Sequence, residues 1–403
     1  EGPAPPHLPT QPTASARHSL TGFAAGAHNR ALMRPTDAQH RDAFAGHKSR
    51  LDRWLGKAFS NEEWRPVRLS YGLYYQLDHT SHMQRIKLPG GFVTADQMDV
   101  LAEISDKYGR GIGHVTTRAD IQIHWVPVEQ IMDMYERLLQ VGITTRGACA
   151  DSVRNVTACP YAGVAPSEPF DVSPYMLAIH DYFLFNPLNL TLPRKFKIAV
   201  EGCEHDCAQC PINDIGAYAK MQDGRQGFSL WAGGGLGSQP YLARPMADFI
   251  PAEDLLIWCE AIVRVQHRYG ERKNRHKARM KYVVQKMKPD GFKRVCQEEV
   301  ARVTAEAGAA LRQELHEVVS AWTAPVPATT LPAATPEVPG YTHWRRTNVR
   351  PQRQAGLSSA VVQLPLGDVT GDQMRALAAL SRQLGNGTLR CTNSLNAIAP
   401  NSR

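Results

Sequence analysis

The sequence predicts an α+β chain with a pseudo-two-fold internal repeat: two copies of one small unit flank a larger mixed α/β region. Three observations predict this class. Residues 88–102, LPGGFVTADQMDVLA, align without a gap on residues 364–378, LPLGDVTGDQMRALA, at a constant offset of 276. The match runs on through Ser105/Ser381, Gly109/Gly385, Gly111/Gly387 and Thr116/Thr392, too far for chance, so one unit is present twice. The stretch between the copies follows neither pattern, and a Pro/Ala/Thr linker at residues 323–341 sets the second copy apart.

Taken in order, residues 1–45 read as a flexible arm, rich in Pro, Ala, Ser and Thr and without the apolar core of a signal peptide. Residues 46–142 hold the first copy. An alternating run precedes Leu-Pro, and Thr94 with Gln97 three residues on is a capping box that opens an amphipathic helix, ADQMDVLAEISDKYG. GHVTTRADIQIHWV then reads as one strand, and VEQIMDMYERLLQVG as a second helix with Ile131, Met134, Leu138 and Leu139 on its apolar side. Residues 143–322 mix strands (KFKIAVEGC, FSLWAGG) with long helices, and RYGERKNRHKARMKYVVQKMK reads as a basic helix. Residues 342–403 repeat the unit and end as its second strand begins, so the chain reads as cut in mid-domain.

A chain of 403 residues exceeds what one core usually fills. Lys plus Arg number 46 against 38 Asp plus Glu, a net charge of +8 that suits an anionic partner without saying which. Eight cysteines, three of them within 203–210, exclude a disulfide scaffold and point to a reducing compartment, here the cytoplasm, with metal use open. The longest helical candidate, AEDLLIWCEAIVRVQHRYG, is interrupted by Glu, Arg and His, which excludes a membrane span there.

Cations recur in short, patterned groups. In HMQRIKLPGG, Arg85 and Lys87 share a strand face. In TTRADIQIHW, Thr116, Arg118, Asp120, Gln122 and His124 fall on one face, a longer polar run than a solvated edge usually shows. DSVRNVTACP supplies Arg154 and Asn155, and LPRKFK places Lys195 and Lys197 on one side with Arg194 on the other. Gly233, Gly234 and Gly235 lack the spacing of a phosphate-binding loop, and their missing Cβ atoms would let a flat ligand touch backbone. Each group alone is more often a solvated face. A nucleic-acid patch is disfavoured, since stacking aromatics are not interleaved with the 264–288 cations.

In this order and spacing MQRIKLPGG, TTRADIQIHW, DSVRNV, LPRKFK, GFSLWAGGGLG and NRHKARMKY resemble the assimilatory siroheme-dependent sulfite and nitrite reductases, over about residues 50–403. The resemblance implies two ferredoxin-like half-domains with an α/β siroheme-binding domain between them. It implies sulfite or nitrite bound on siroheme iron beside Arg85, Arg154, Lys195 and Lys197, the arginines binding and the lysines delivering protons. Siroheme carries many carboxylates, and the positions that resemble its cradle are Thr116, Thr117, Arg118, Gln122, His124, Asn155, Arg194 and Arg279, with the three glycines. Lys-Phe-Lys at 195–197 resembles the sulfite-reducing branch, because nitrite reducers often carry Asn at the position of Lys197. Ferredoxin or a flavoprotein is the implied donor.

The family's [4Fe–4S] cluster is implied to have its ligands beyond Arg403. Cys159, Cys203 and Cys207 echo three of its four positions, the fourth being Val153, so they read as relics of a cluster site. Cys149 or Cys210 could supply a missing ligand, and a zinc site stays open on ligand type. Cys259 and Cys296 fall in helical patterns and read as buried structural thiols. A non-catalytic siroheme or tetrapyrrole binder is the alternative function.

Overall fold

The computed structural model describes residues 38–78, 80–324 and 338–402. The predicted arm at 1–45 lies mostly outside them, and its end is corrected: α1 (Ala38–Leu55) already buries His47 and Leu51. The centre of the predicted linker also lies outside the described residues.

Each copy of the repeat opens with strand pairs and closes with a capped helix and a hairpin. The first runs α2 (Asn61–Ser70), β1 (Leu73–Tyr75), β2 (His82–Ile86), β3 (Phe92–Thr94), α3 (Ala95–Tyr108), β4 (Ile112–Val115), β5 (Ile121–Val126) and α4 (Ile131–Gln140). The middle region contributes β6 (Thr157–Ala158), α5 (Ser173–Leu184), β7 (Ile198–Glu201), β8 (Ile215–Gln222), β9 (Arg225–Ala232), β10 (Arg244–Pro251), α6 (Leu255–Tyr269), α7 (Met280–Met287) and α8 (Pro289–Ala321). The second copy runs α9 (Tyr341–Asn348), β11 (Val349–Pro351), β12 (Ser358–Gln363), β13 (Asp368–Thr370), α10 (Gly371–Leu384), β14 (Thr388–Cys391) and β15 (Asn396–Ser402).

The capping boxes form in both copies. Thr94 Oγ1 accepts from Gln97 N at 3.1 Å while Gln97 Oε1 accepts from Thr94 N at 2.9 Å, and Thr370 with Gln373 repeats the exchange at 3.2 and 2.9 Å. Two orphan donors are thereby satisfied where each helix begins.

The copies are interlocked rather than consecutive. One sheet has the order β1-β2-β5-β4-β13 and the other β11-β12-β15-β14-β3, so each copy lends its short strand to the other's sheet. β13 pairs antiparallel with β4 and β3 with β14. Helices α3 and α10 pack over these sheets, and both copies share one apolar core that includes Ile86, Leu101, Ile121, Met374 and Leu389. The segments 46–142 and 342–403, read from sequence as separate half-domains, thus form one unit.

The predicted strand over 113–126 is a hairpin. Thr116 N donates to Asp120 O at 2.9 Å, and Ala119 takes a left-handed φ of 56° to close the turn between β4 and β5. The second copy turns the same way, Thr392 N donating to Asn396 O at 2.8 Å with Leu395 at φ 65°. The predicted basic helix over 268–288 is also interrupted. α6 stops at Gly270, whose N–H bonds Gln266 O, and a single helical turn at 275–277 precedes α7.

In the middle region the sheet order is β10-β9-β8-β7-β6, parallel across β6, β7 and β8 and antiparallel beyond. Helices α5, α6 and α8 cover it and bury Cys259 and Cys296 in a second core, as expected for structural thiols. Among the described residues no helix is long and apolar enough to cross a membrane.

Candidate functional site

The tip of the first hairpin enters the parallel end of the middle sheet, and Arg118 is the pin. Its guanidinium donates to Asn155 O at 2.8 Å, Asn213 Oδ1 at 2.6 Å and Ile198 O at 2.5 Å. Arg118 was expected to hold a cofactor carboxylate; its three bonds lock the hairpin to three segments of the middle region. Thr116 Oγ1 accepts from Arg118 N at 3.0 Å, which makes it a turn residue, and Thr117 is exposed. Asn155 Nδ2 donates to Leu88 O and Arg118 O, leaving its buried Oδ1 without a partner.

Around this pin the cations converge. Lys195 and Lys197 flank Phe196, which is buried and bridges in parallel to Val153, so alternation sends both ammonium groups to the other side. Among the described residues neither ammonium makes a hydrogen bond or ion pair. Burial, then Arg154, Arg194, Arg279 and Arg85, pushes Lys195 down to about 8. Burial, then Arg118 and Arg279, pushes Lys197 down to about 7, against the pull of Asp214. Arg154 spends its guanidinium on the carbonyls of Ala148 and Ala150, with no carboxylate bonded to it among the described residues. Arg85 donates from Nε and Nη2 to Gln122 Oε1 at 3.2 and 2.5 Å and stands 3.9 Å from Asp120. His124 lies further along β5, bonded through Nδ1 to Gln76 Oε1 at 2.7 Å, so its nearest role is to hold the strand edge.

Several site groups carried no signal beyond their charge. Lys87 is 2% exposed, and burial drops it to about 8 although Asp120 opposes the shift. Asp120, named in the polar run but given no role, is buried among Arg85, Lys87, Arg118 and Arg154, and burial still lifts its carboxyl to about 6. Asp214 takes Arg279 Nη2 at 2.9 Å and the Lys197 N–H at 2.8 Å. Asp151 takes Arg194 at 3.4 Å and Arg275 at 2.7 Å. Nothing local in the sequence marks these carboxylates as neighbours of the lysines.

The glycines serve the fold. A Cβ on Gly234 would lie 2.2 Å from Pro211 O, and one on Gly233, at φ +92°, would lie 2.5 Å from Val284. Close packing thus accounts for glycine at these two positions, while a Cβ on Gly235 would lie 3.1 Å from Arg279 Nη2.

Among the described residues, Arg85, Lys87, Arg118, Arg154, Arg194, Lys195, Lys197 and Arg279 share one region in which Asp120, Asp151, Asp181 and Asp214 are the carboxylates that act on them. Such an excess of partly dehydrated cations binds anions, and the lysines respond to pH. An anion raises their pKa, so sulfate binding should take up protons near pH 8 and not below about pH 6, and affinity should fall as pH rises past 7 to 8 while the arginines stay charged. Calorimetry of sulfate binding in buffers of different ionisation enthalpy reads this directly.

Elsewhere the thiols gather. Cys159 Sγ lies 3.5 Å from Cys203 Sγ, which lies 3.6 Å from Cys207 Sγ. The suggested fourth ligands do not join them: Cys149 lies 3.5 Å from Arg85 Nη1, and Cys210 Sγ points at the carbonyls of Ala199 and Ala217.

Two family models match the chain. The Nitrite and sulphite reductase 4Fe-4S domain covers residues 149–303, and the Nitrite/Sulfite reductase ferredoxin-like half domain covers residues 75–141 and 350–401. The chain is 32% identical over 348 residues to the chloroplastic ferredoxin–nitrite reductase of Arabidopsis thaliana, spanning 83% of this chain and 55% of that protein. It is 30% identical to the ferredoxin–nitrite reductase of Synechococcus elongatus, over 91% of this chain and 63% of the relative. It is 31% identical to sulfite reductase [ferredoxin] 1 of Mycolicibacterium paratuberculosis, over 54% and 39% respectively. The chain thus spans about half the length of the relatives it matches. The structure of the Mycobacterium tuberculosis NirA protein shares the fold with a TM-score of 0.69 at 24% identity, over 90% of this chain and 67% of that one.

Proposed function

Because this chain belongs to the nitrite and sulfite reductase family, we propose that it binds siroheme and serves the reduction of an oxyanion held beside Arg85, Arg154, Lys195 and Lys197. The observation that carries this reading is the surplus of buried and half-buried cations over the carboxylates beside them, which fits a macrocycle rich in carboxylates together with a small anion. When bound, siroheme supplies the iron on which the oxyanion sits and the route for electrons. The protein's own groups do the rest. Arg85 and Arg154 supply planar guanidinium groups that orient the anion. Lys195 and Lys197, whose pKa values are lowered by burial and then by the surrounding arginines, release protons to a departing oxygen and regain them from solvent. Arg118 keeps the hairpin seated so that this geometry persists. Ferredoxin is the proposed electron donor and the cytoplasm the proposed location, in keeping with eight unpaired cysteines.

Sulfite is the proposed substrate, since two lysines stand at 195 and 197 and a more highly charged anion gains more from them. The names of the plant and cyanobacterial relatives favour nitrite as a second reading. The test is co-expression with siroheme synthesis, followed by turnover of both oxyanions with a viologen donor. Sulfite should win in kcat/KM by about 10-fold or more, a difference of about 1.4 kcal/mol. A reversed ratio selects nitrite, and failure to take up siroheme overturns the whole reading.

A [4Fe–4S] cluster takes four thiolates, each on a different iron. The described residues bring three together, packed more closely than such a cluster requires, so they do not fit it.

A further inference from the structure

We propose that Cys159, Cys203 and Cys207 form a site for a single thiophilic divalent ion of the zinc class, with three thiolates and one open position. The proposal does not rest on the oxyanion chemistry. Two sulfurs bound tetrahedrally to one ion at 2.3 Å lie about 3.8 Å apart. Here the adjacent Sγ pairs are 3.5 and 3.6 Å apart and all three lie within 4.8 Å of one another. That spacing suits one shared ion; it is too long for a disulfide bond and too short for thiolates on separate irons of a cubane.

The loop that presents these thiols is built to hold its shape. The buried Glu201 carboxylate accepts from the N–H groups of Gly202 and Cys203 at 2.8 Å and of Ala208 at 2.6 Å, so one side chain ties both ends of the Cys203–Cys207 loop. Cys159 and Cys203 are buried, while Cys207 is partly open and gives the fourth position to water. Such bonds fix the backbone that carries the thiols and so orient them toward a common ion.

The second hairpin places the site. Its tip repeats the turn that carries Arg118, and Asn393 Nδ2 donates to Cys207 O at 2.7 Å. From the adjoining strand, Arg390 donates to the carbonyls of Pro160 and Ala162, at 2.9 and 2.7 Å, beside Cys159. One hairpin therefore closes over the cations and its copy closes over the thiols, so the pseudo-two-fold relation that repeats the backbone has diverged into an anion site and a metal site.

The test uses the purified chain, stripped with chelator under reducing conditions and titrated with Zn²⁺ and then Co²⁺. One equivalent should bind, shield three thiols from a thiol reagent and, with cobalt, give thiolate charge-transfer absorption. Cys207→Ser, at the half-open position, should lose the absorption and weaken binding by at least about 100-fold. Cys296→Ser, buried in α8, should leave both unchanged. The proposal is overturned if no stoichiometric ion binds, if Cys207→Ser binds as well as the parent, if the three thiols are found with acid-labile sulfide and four irons, or if Cys203 and Cys207 are isolated as a disulfide.

Discussion

Replacing Lys197 with Met should lower kcat for the proposed reduction by about 100- to 10,000-fold, the range that a positioned proton donor contributes. Charge and proton can be separated at this position. Lys197→Arg keeps a cation but holds its proton, so oxyanion affinity should stay within a few-fold of the parent while kcat falls nearly as far as in the Met variant. The pH profile adds a second readout. Lys197 sits near 7 because burial and the Arg118 and Arg279 charges disfavour its protonated form. Activity should therefore decline through pH 7 to 8 in the parent, and that limb should vanish in the Arg variant. Equal kcat in parent and Arg variant would assign Lys197 to binding alone.

Gly91→Ala should cost more than about 4 kcal/mol in unfolding free energy, or prevent folding. Gly91 holds φ +78° where the chain enters β3, and a Cβ there would lie 2.0 Å from Cys391 O and 3.1 Å from the Ala119 Cβ. Those contacts sit at the crossover where the first copy's strand joins the second copy's sheet, so relief requires β3 to leave β14. Gly387→Ala is the matched control: its φ is +74° but nothing lies within 4 Å of the added atom, so only backbone strain of about 1 kcal/mol is expected. Denaturant midpoints for the two variants separate the clash from the strain. Similar losses in both would show that the strand exchange tolerates displacement.

The tertiary view changes the weight of individual residues. Arg118 and Arg154 were grouped by charge with ligand-binding cations, yet their hydrogen bonds run to backbone carbonyls and to Asn213. A surplus of positive charge persists because guanidinium groups satisfied by carbonyls lose no charge. Conversely, Lys87 gained importance: a fully buried lysine beside an uncompensated carboxylate oxygen of Asp120 is a poised group that the alternation pattern alone ranked as strand surface. At Gly233 and Gly234 a second demand for glycine appears, close packing against Val284 and Pro211.

The sequence by itself determined the repeat, the capped helices and the identity of the cations, because periodicity, Thr-x-x-Gln caps and residue charge are written within a few positions of one another. It could not determine that residues 116–120 turn, since a left-handed alanine at 119 has no local signal of the glycine or asparagine kind. Only the tertiary structure decided the exchange of β3 and β13 between sheets, the meeting of Arg118 with Asn213 and the convergence of Cys159 on Cys203. Each of these joins segments tens to hundreds of residues apart, where the choice of partner depends on how two sheets share one core and on which buried polar groups are left to satisfy one another.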